Sequence, residues 1–402
     1  MKYFMIFFTF CFLVLSCKVE KKKYAFSYIE LKRGFEKSIF FLLSEVAEDI
    51  EYIFLEANDS SLISDIRKVV YDYPYYYIMD SFEKSIFIFD GAGKFVNVIS
   101  ALGQGPREYT MIYNFEVYDG IIYILDYNLK KIFKYDINGK FINAFQVDEW
   151  VSFLKVIDND NLLLVIKNYD FIVNNEYVNN GYVFLQYDKD FNLIRKFQPM
   201  ERKGHEIGWS FHSFYRQRDT VVYWEYNIFD TVYNVFPDGH TEPRFLLIPP
   251  KTPSSLILKK GEAHLIKDGQ FEISSLVETD DFVFLSCFNG RRRTPLIFYK
   301  NENRTVGIDH RLMNNMDGGI PFWPRFKFSD NKVATAMFPD EIKKFLNLKV
   351  EEYFKGFNFW EYRPKLNYDE EKHKKLLEQL EKTDDMSNPL LMIVTMKSSR
   401  ND

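Results

Sequence analysis

An internal echo at one fixed spacing constrains this chain more than any other feature. Tyr76-Tyr77-Ile78-Met79-Asp80 is matched by Ile122-Tyr123-Ile124-Leu125-Asp126. Ile86-Phe87-Ile88-Phe89-Asp90 is matched by Ile132-Phe133-Lys134-Tyr135-Asp136, and Gly93-Lys94-Phe95 by Gly139-Lys140-Phe141, every pair 46 residues apart. A repeat of this length, built from several short apolar runs, is the sequence signature of propeller blades.

The second unit divides into four expected strands, 115–118 innermost, then 121–126, 132–136 and 141–145. Asp119-Gly120 and Asn138-Gly139 fall at hairpin turns, where a positive φ favours glycine and Asx residues. A single blade leaves both faces bare, so blades must stack. The 41 Phe and 27 Tyr of the chain supply large side chains for the gaps between them.

Weaker copies continue. A third blade is expected from 161–165, 183–188 and 193–197, with 167–181 inserted. A fourth follows from 221–226, 231–236 and 244–248, and a fifth from 271–276, 282–287, 296–300 and 305–308. A sixth opens with 326–328 and 332–337 and is interrupted by 339–387. Within that interruption 368–382 reads as a helix, with acids early and lysines late as the helix dipole prefers. The apolar run 389–397 then lacks an outer partner, and 51–55 is a strand without a blade. Pairing the two closes the ring with no open edge. The expected fold is all-β: a six-bladed β-propeller with four-stranded blades over residues 48–397. Its ring is closed by N- and C-terminal strands, the last blade carries one helical insertion at about 339–387, and 398–402 form a tail.

The N-terminus reads as a targeting signal. Lys2 provides the positive start, and 4–15 form an apolar stretch too short to span a bilayer. Val14-Leu15-Ser16-Cys17 resembles the lipobox of bacterial lipoproteins. Residues 1–16 are then a signal peptide, Cys17 is the acylated residue and 17–47 a tether. Cys11 leaves with the signal, so Cys287 has no partner for a disulfide, and its apolar setting predicts a buried, inert thiol. The net charge of −5 is spread along the chain and excludes the concentrated basic face that nucleic-acid binding requires.

Four phrases then carry a family resemblance: Glu51-Tyr52-Ile53-Phe54-Leu55-Glu56 with Ser60-Ser61-Leu62-Ile63, Lys84-Ser85-Ile86-Phe87-Ile88-Phe89-Asp90, Gly103-Gln104-Gly105-Pro106-Arg107-Glu108-Tyr109, and Asn388-Pro389-Leu390-Leu391-Met392-Ile393. Together the chain resembles the six-bladed β-propeller lipoproteins of the Bacteroides group, distant relatives of NHL-repeat propellers. That resemblance implies fold and location, a lipid-anchored protein of the cell envelope at the outer membrane. It implies no common activity.

Blade topology ranks the candidate ligand-binding residues, because loops joining blades share a face with loops joining the two middle strands of each blade. Gly103, Gly105 and Pro106 shape one such loop, from which Arg107, Glu108 and Tyr109 are placed to meet a ligand. No Lys-Ser/Thr and no helix follow, so it is not a phosphate loop. His205, Trp209 and His212 occupy a second loop, without the spacing of a metal site. Arg291, Arg292 and Arg293 lie at a third, where guanidiniums favour an anionic or carboxylate group. No catalytic constellation, metal site or cofactor is expected. The leading reading is a non-catalytic module binding a glycan, a peptide or another envelope protein. The competing reading is a lyase or hydrolase with a site in the central funnel.

Overall fold

In each of the first two copies of the repeat, two aspartates fix how a blade turns and how it is fastened. Asp90 accepts the backbone N–H groups of Ala92 and Lys94, each at 2.9 Å. Asp136 accepts those of Asn138 and Lys140 at the same distance. Each turn is completed by a glycine with positive φ, +82° at Gly93 and +77° at Gly139. Asp188 and Asp238 make corresponding turns in later blades. The second aspartate ends the second strand and is fully buried. Asp126 accepts from Thr110 N at 2.6 Å, Thr110 Oγ1 at 2.8 Å and Leu129 N at 2.9 Å. Asp80 accepts from Ser64 N, Phe82 N and Glu83 N. Each ties the chain entering a blade to that blade's own hairpin.

The computed structural model describes residues 27–158, 161–166, 171–173, 176–178, 183–197, 212–225, 231–248, 271–289, 292–309, 311–347 and 366–399. The strands form a six-bladed β-propeller. Blade one comprises Lys68–Asp72, Tyr75–Asp80, Ser85–Phe89 and Phe95–Ile99, from the centre outwards. Blade two comprises Asn114–Tyr118, Ile121–Asp126, Lys131–Tyr135 and Phe141–Gln146. Blade three is Val151–Asp158, Asn161–Ile166, Phe184–Asp188 and Leu193–Phe197, and a separate hairpin, Phe171–Val173 with Glu176–Val178, lies in its insertion. Blade four is His212–Gln217, Thr220–Glu225, Thr231–Val235 and Thr241–Ile248, and blade five Phe271–Glu278, Phe282–Asn289, Arg292–Tyr299 and Arg304–Ile308. Blade six is composite: Phe326–Lys327, Lys332–Met337 and the C-terminal Leu390–Met396, with the N-terminal Ala47–Phe54 outermost. The two chain ends pair antiparallel from Leu390↔Phe54 to Met396↔Ala47, as the sequence pattern implied.

The tether differs from expectation. Ser27–Glu30 adds a fifth strand to blade four, parallel to its outer strand, and Ser38–Ile39 does the same on blade five. Between them lies a short helix, α1 (Lys32–Glu36). From Ser27 onward the segment is therefore a belt covering two outer edges, each of which would otherwise show unpaired backbone groups. Blades four and five are five-stranded for this reason. The insertion of blade six contains two helices, α2 (Pro339–Asn347) and α3 (Glu370–Leu380). Asp369 caps α3 by accepting the N–H groups of Glu371 and Lys372.

The core is cyclic. Six large apolar clusters among the described residues each lie between two neighbouring blades. Tyr77 and Ile88 of blade one meet Phe115 and Phe133 of blade two, for example. Residues 391 and 393 of the C-terminal strand face blade one, and 390, 392, 394 and 396 face blade five. Period-two alternation thus serves two neighbours at once. Because strands alternate in direction within every blade, the blade-to-blade connections and the loops between middle strands emerge together on one face, called the loop face below. The helices α2 and α3 stand on that face.

Candidate functional site

The Gly103–Tyr109 loop lies on the loop face between blades one and two, and it is folded onto itself. Gly103 N donates to Tyr109 O and Tyr109 N to Ala101 O, both at 3.0 Å. Gly105 N donates to Glu108 Oε2 at 2.8 Å. The Glu108 carboxylate fills the space beside Gly103, where any Cβ would collide with it. This close approach is the reason for glycine there. Tyr109 is fully buried in the core between the two blades, edge-on to Phe133 and Tyr135. Its hydroxyl accepts from Ala101 N at 3.2 Å and faces the carbonyls of Lys84 and Ile99 at 3.0 and 3.1 Å. Tyr135 donates to the Arg107 carbonyl at 2.6 Å. Tyr109, expected to meet a ligand, is instead buried in the fold, while Glu108 stays exposed with one carboxylate oxygen accepting from Gly105 N. Arg107 keeps an exposed head, 5.8 Å over the Phe141 ring.

His205, Trp209 and Arg291 lie outside the described residues. His212 opens the inner strand of blade four, opposite Glu225. Arg292 and Arg293 are the first residues of the third strand of blade five rather than part of a loop, in register with Asn289 and Phe288. All three segments reach the loop face. They are spread around it, with Gly103–Tyr109 on the far side of the ring from blades four and five.

Arg293 is exposed and has a neighbour that the sequence did not reveal. Partial desolvation lowers its pKa, and the positive charge of Arg311 lowers it further. Arg311, also exposed, comes from the connection between blades five and six. The charge of Arg311, carried by a separate segment, thus acts on Arg293.

At the centre of the ring, titratable groups are spent on one another. Lys155 pairs with Glu116 at 2.7 Å, and Lys68 lies 3.6 Å from the same carboxylate while donating to Asn114 at 2.9 Å. Burial pushes the Lys68 ammonium down to about 8, with Glu116 pulling the other way. Across the ring Lys327 donates to Gln217 at 2.6 Å and to the Glu278 carbonyl at 2.9 Å. Burial pushes this ammonium too down to about 8, opposed by Asp330 and Glu278. Glu278 is fully buried. Burial alone would raise its pKa, but the neighbouring Lys300 and Arg244 hold the carboxyl below its usual value. Tyr215 donates to it at 2.9 Å. Cys287 is fully buried between blades four and five, and burial pushes its thiol well up, which removes it as a nucleophile.

The fold defines a six-bladed propeller with a face of loops and paired charges about its centre. The chain belongs to the family described as Domain of unknown function (DUF4934), whose model matches residues 26–395. No curated protein matches it. Among solved structures it is similar to a protein of Bacteroides fragilis NCTC 9343 described as a putative exported protein. The TM-score is 0.70 at 18% identity, covering 92% of this chain and all 100% of the other. It is also similar, at a TM-score of 0.46 and 10% identity, to a member of the DUF4221 family from Bacteroides vulgatus, over 65% of this chain and 84% of that one.

Proposed function

We propose that the protein is an exported, lipid-anchored propeller of the cell envelope that binds rather than catalyses. Its ligand presents an anionic group to the loop face beside blade five. The observation that carries the reading is the Arg293–Arg311 pair. Among the described residues Arg311 is the charged group that acts on Arg293, and two like charges within range of each other raise the energy of the free protein. An oxyanion bridging them removes that repulsion and accepts charge-assisted hydrogen bonds. The mutual pairing of the central charges supports binding over funnel chemistry, since a general acid or base needs an uncommitted group. Anchoring through Cys17 agrees with the belt. Ser27 lies ten residues beyond Cys17, a reach of at most about 35 Å. The strand Ser27–Glu30 runs parallel to Thr241–Ile248, so it starts on the turn side of blade four and ends toward the loop face. Ser27 thus sits on the side away from the loops.

A glycan and peptide array tests the ligand. The protein is expected to retain carboxylated or sulfated ligands, and the Arg293→Ala/Arg311→Ala variant to lose them with an unchanged melting temperature. Equal retention by both forms refutes the arginine site. Fractionation tests the anchor separately: Cys17→Ala should leave the membrane fraction, and its persistence there after a high-salt wash refutes lipidation.

A further inference from the structure

A second site stands on the same face and owes nothing to the arginines. The connection that leaves blade five and the helices inserted in blade six enclose a cleft of about 210 Å³. Its base is set by a buried polar knot. The Asp317 carboxylate accepts from Asn314 Nδ2 at 2.6 Å and from Gly319 N at 2.8 Å. The Tyr52 hydroxyl lies against the same carboxylate. Burial first and the Asp317 charge second push its pKa well up, so it stays protonated and donates. Asn314 Oδ1 in turn accepts from Met316 N and Asp317 N. These groups satisfy one another and make the base rigid rather than ligand-seeking.

The wall supplied by α3 differs. Asp369 N donates to Met316 O at 3.1 Å, pinning the start of the helix to the connection. One turn later His373 Nδ1 lies 2.7 Å from the carbonyl oxygen of Asp317. A carbonyl can only accept, so the proton of the neutral imidazole sits on Nδ1 and Nε2 carries a lone pair. No partner for Nε2 is present among the described residues. The other walls are mixed: Met313, Phe345, Leu346, Leu366 and Leu377 are apolar, while Asn314 and Tyr368 are polar, the Tyr368 ring lying 4.8 Å from the imidazole. A fixed acceptor in a cleft of mixed lining suits a ligand that joins an apolar ring to a hydroxyl donor. An apolar protein cavity of about 150 Å³ accommodates benzene, so this cleft has room for one substituted ring.

We propose that this cleft binds a small neutral phenol or comparable ring alcohol, its hydroxyl donating to His373 Nε2. Isothermal titration of the purified protein with p-cresol, and with toluene as the same ring lacking the hydroxyl, tests it. The expected result is saturable 1:1 binding of p-cresol, about five- to tenfold tighter than toluene, the worth of one net hydrogen bond. His373→Phe keeps a ring at the wall and should bring p-cresol to the affinity of toluene. Leu377→Trp, a change at a partly exposed position, should fill the cleft and abolish both. Arg293→Ala/Arg311→Ala should leave p-cresol binding intact, which separates this site from the anionic one. Absence of saturable p-cresol binding, equal affinity for toluene, or binding unaffected by Leu377→Trp each overturns the proposal.

Discussion

Replacing Tyr109 by Phe tests whether the Gly103–Tyr109 loop is a lock between blades. The substitution keeps the ring, its burial and its edge-on contacts with Phe133 and Tyr135, whose centroids lie 6.5 and 6.4 Å away. It removes only the hydroxyl. Ala101 N then loses the acceptor it has at 3.2 Å, and the carbonyls of Lys84 and Ile99 share one donor fewer. A buried donor left unpaired costs about 1–3 kcal/mol, so about 2 kcal/mol is expected. For a chain of this size that corresponds to a melting temperature lower by about 2–4 °C, readable by calorimetry or by a urea midpoint shift at constant slope. Arg107→Ala, at an exposed position two residues earlier, is the internal control and should stay within about 0.5 kcal/mol of the parent. If Tyr109→Phe is neutral while Arg107→Ala destabilises, the hydroxyl does not hold the loop and the assignment fails.

The two aspartates of the repeat should differ in weight. Asp126→Ala strands the donors of Thr110 and Leu129 in the interior and should cost about 3 kcal/mol, against about 1 kcal/mol for Asp136→Ala at an exposed turn; equal costs in chemical denaturation refute the distinction. Asn388→Ala should destabilise by about 2–4 kcal/mol, since its buried amide accepts from Ile63 N at 2.9 Å and donates to Glu56 O at 2.7 Å and Ser61 O at 2.6 Å; a neutral result shows that the closure does not depend on it. Lys327 has a folded pKa of about 8, below its unfolded value, so between about pH 8 and 10 the unfolded chain holds more protons and stability should rise with pH. Lys327→Met should flatten that slope, and an unchanged slope in the variant would falsify the linkage.

The ring, its blade count and its closure were legible because they rest on local chemistry repeated at one interval. Asp90-x-x-Gly93 and Asp136-x-x-Gly139 specify the same turn wherever they occur. Two-residue alternation specifies which neighbour each side chain serves. The site was less legible for an equally physical reason. Tyr109 stands in a glycine-rich loop and reads as a contact residue, yet its burial depends on Lys84 and on blade two, neither adjacent in sequence. Arg311 carries no signal by itself, because stacking blades five and six is what brings it near Arg293. The belt was missed because Ser-Tyr-Ile-Glu is too short to show a period, and its parallel partner lies more than two hundred residues away. The knot of Tyr52, Asn314, Asp317 and His373 joins the first strand of the closing blade to its insertion, a juxtaposition that exists only once the ring has closed.

Closure is also where the fold concentrates its redundancy. A ring of blades has no natural end, so the first and last strands must be held together against the entropy of separating them. Here several ties act in parallel. The ladder from Leu390 to Met396 is one, and it places side chains in two of the inter-blade cores. The Asn388 amide is a second, gripping the chain between Glu56 and Ile63. Lys397 adds a third, its N–H to Val46 O at 2.8 Å and its ammonium to Ser44 O at 2.7 Å. The belt adds a fourth by fastening Ser27–Ile39 along blades four and five before the chain enters blade six. Every one of these joins residues far apart in sequence, so none can form before most of the ring exists. Once formed, they hold the start of the closing strand from both sides. That stiffness reaches the loop face, because the same strand carries Tyr52 to Asp317, and Asp317 fixes the imidazole of His373.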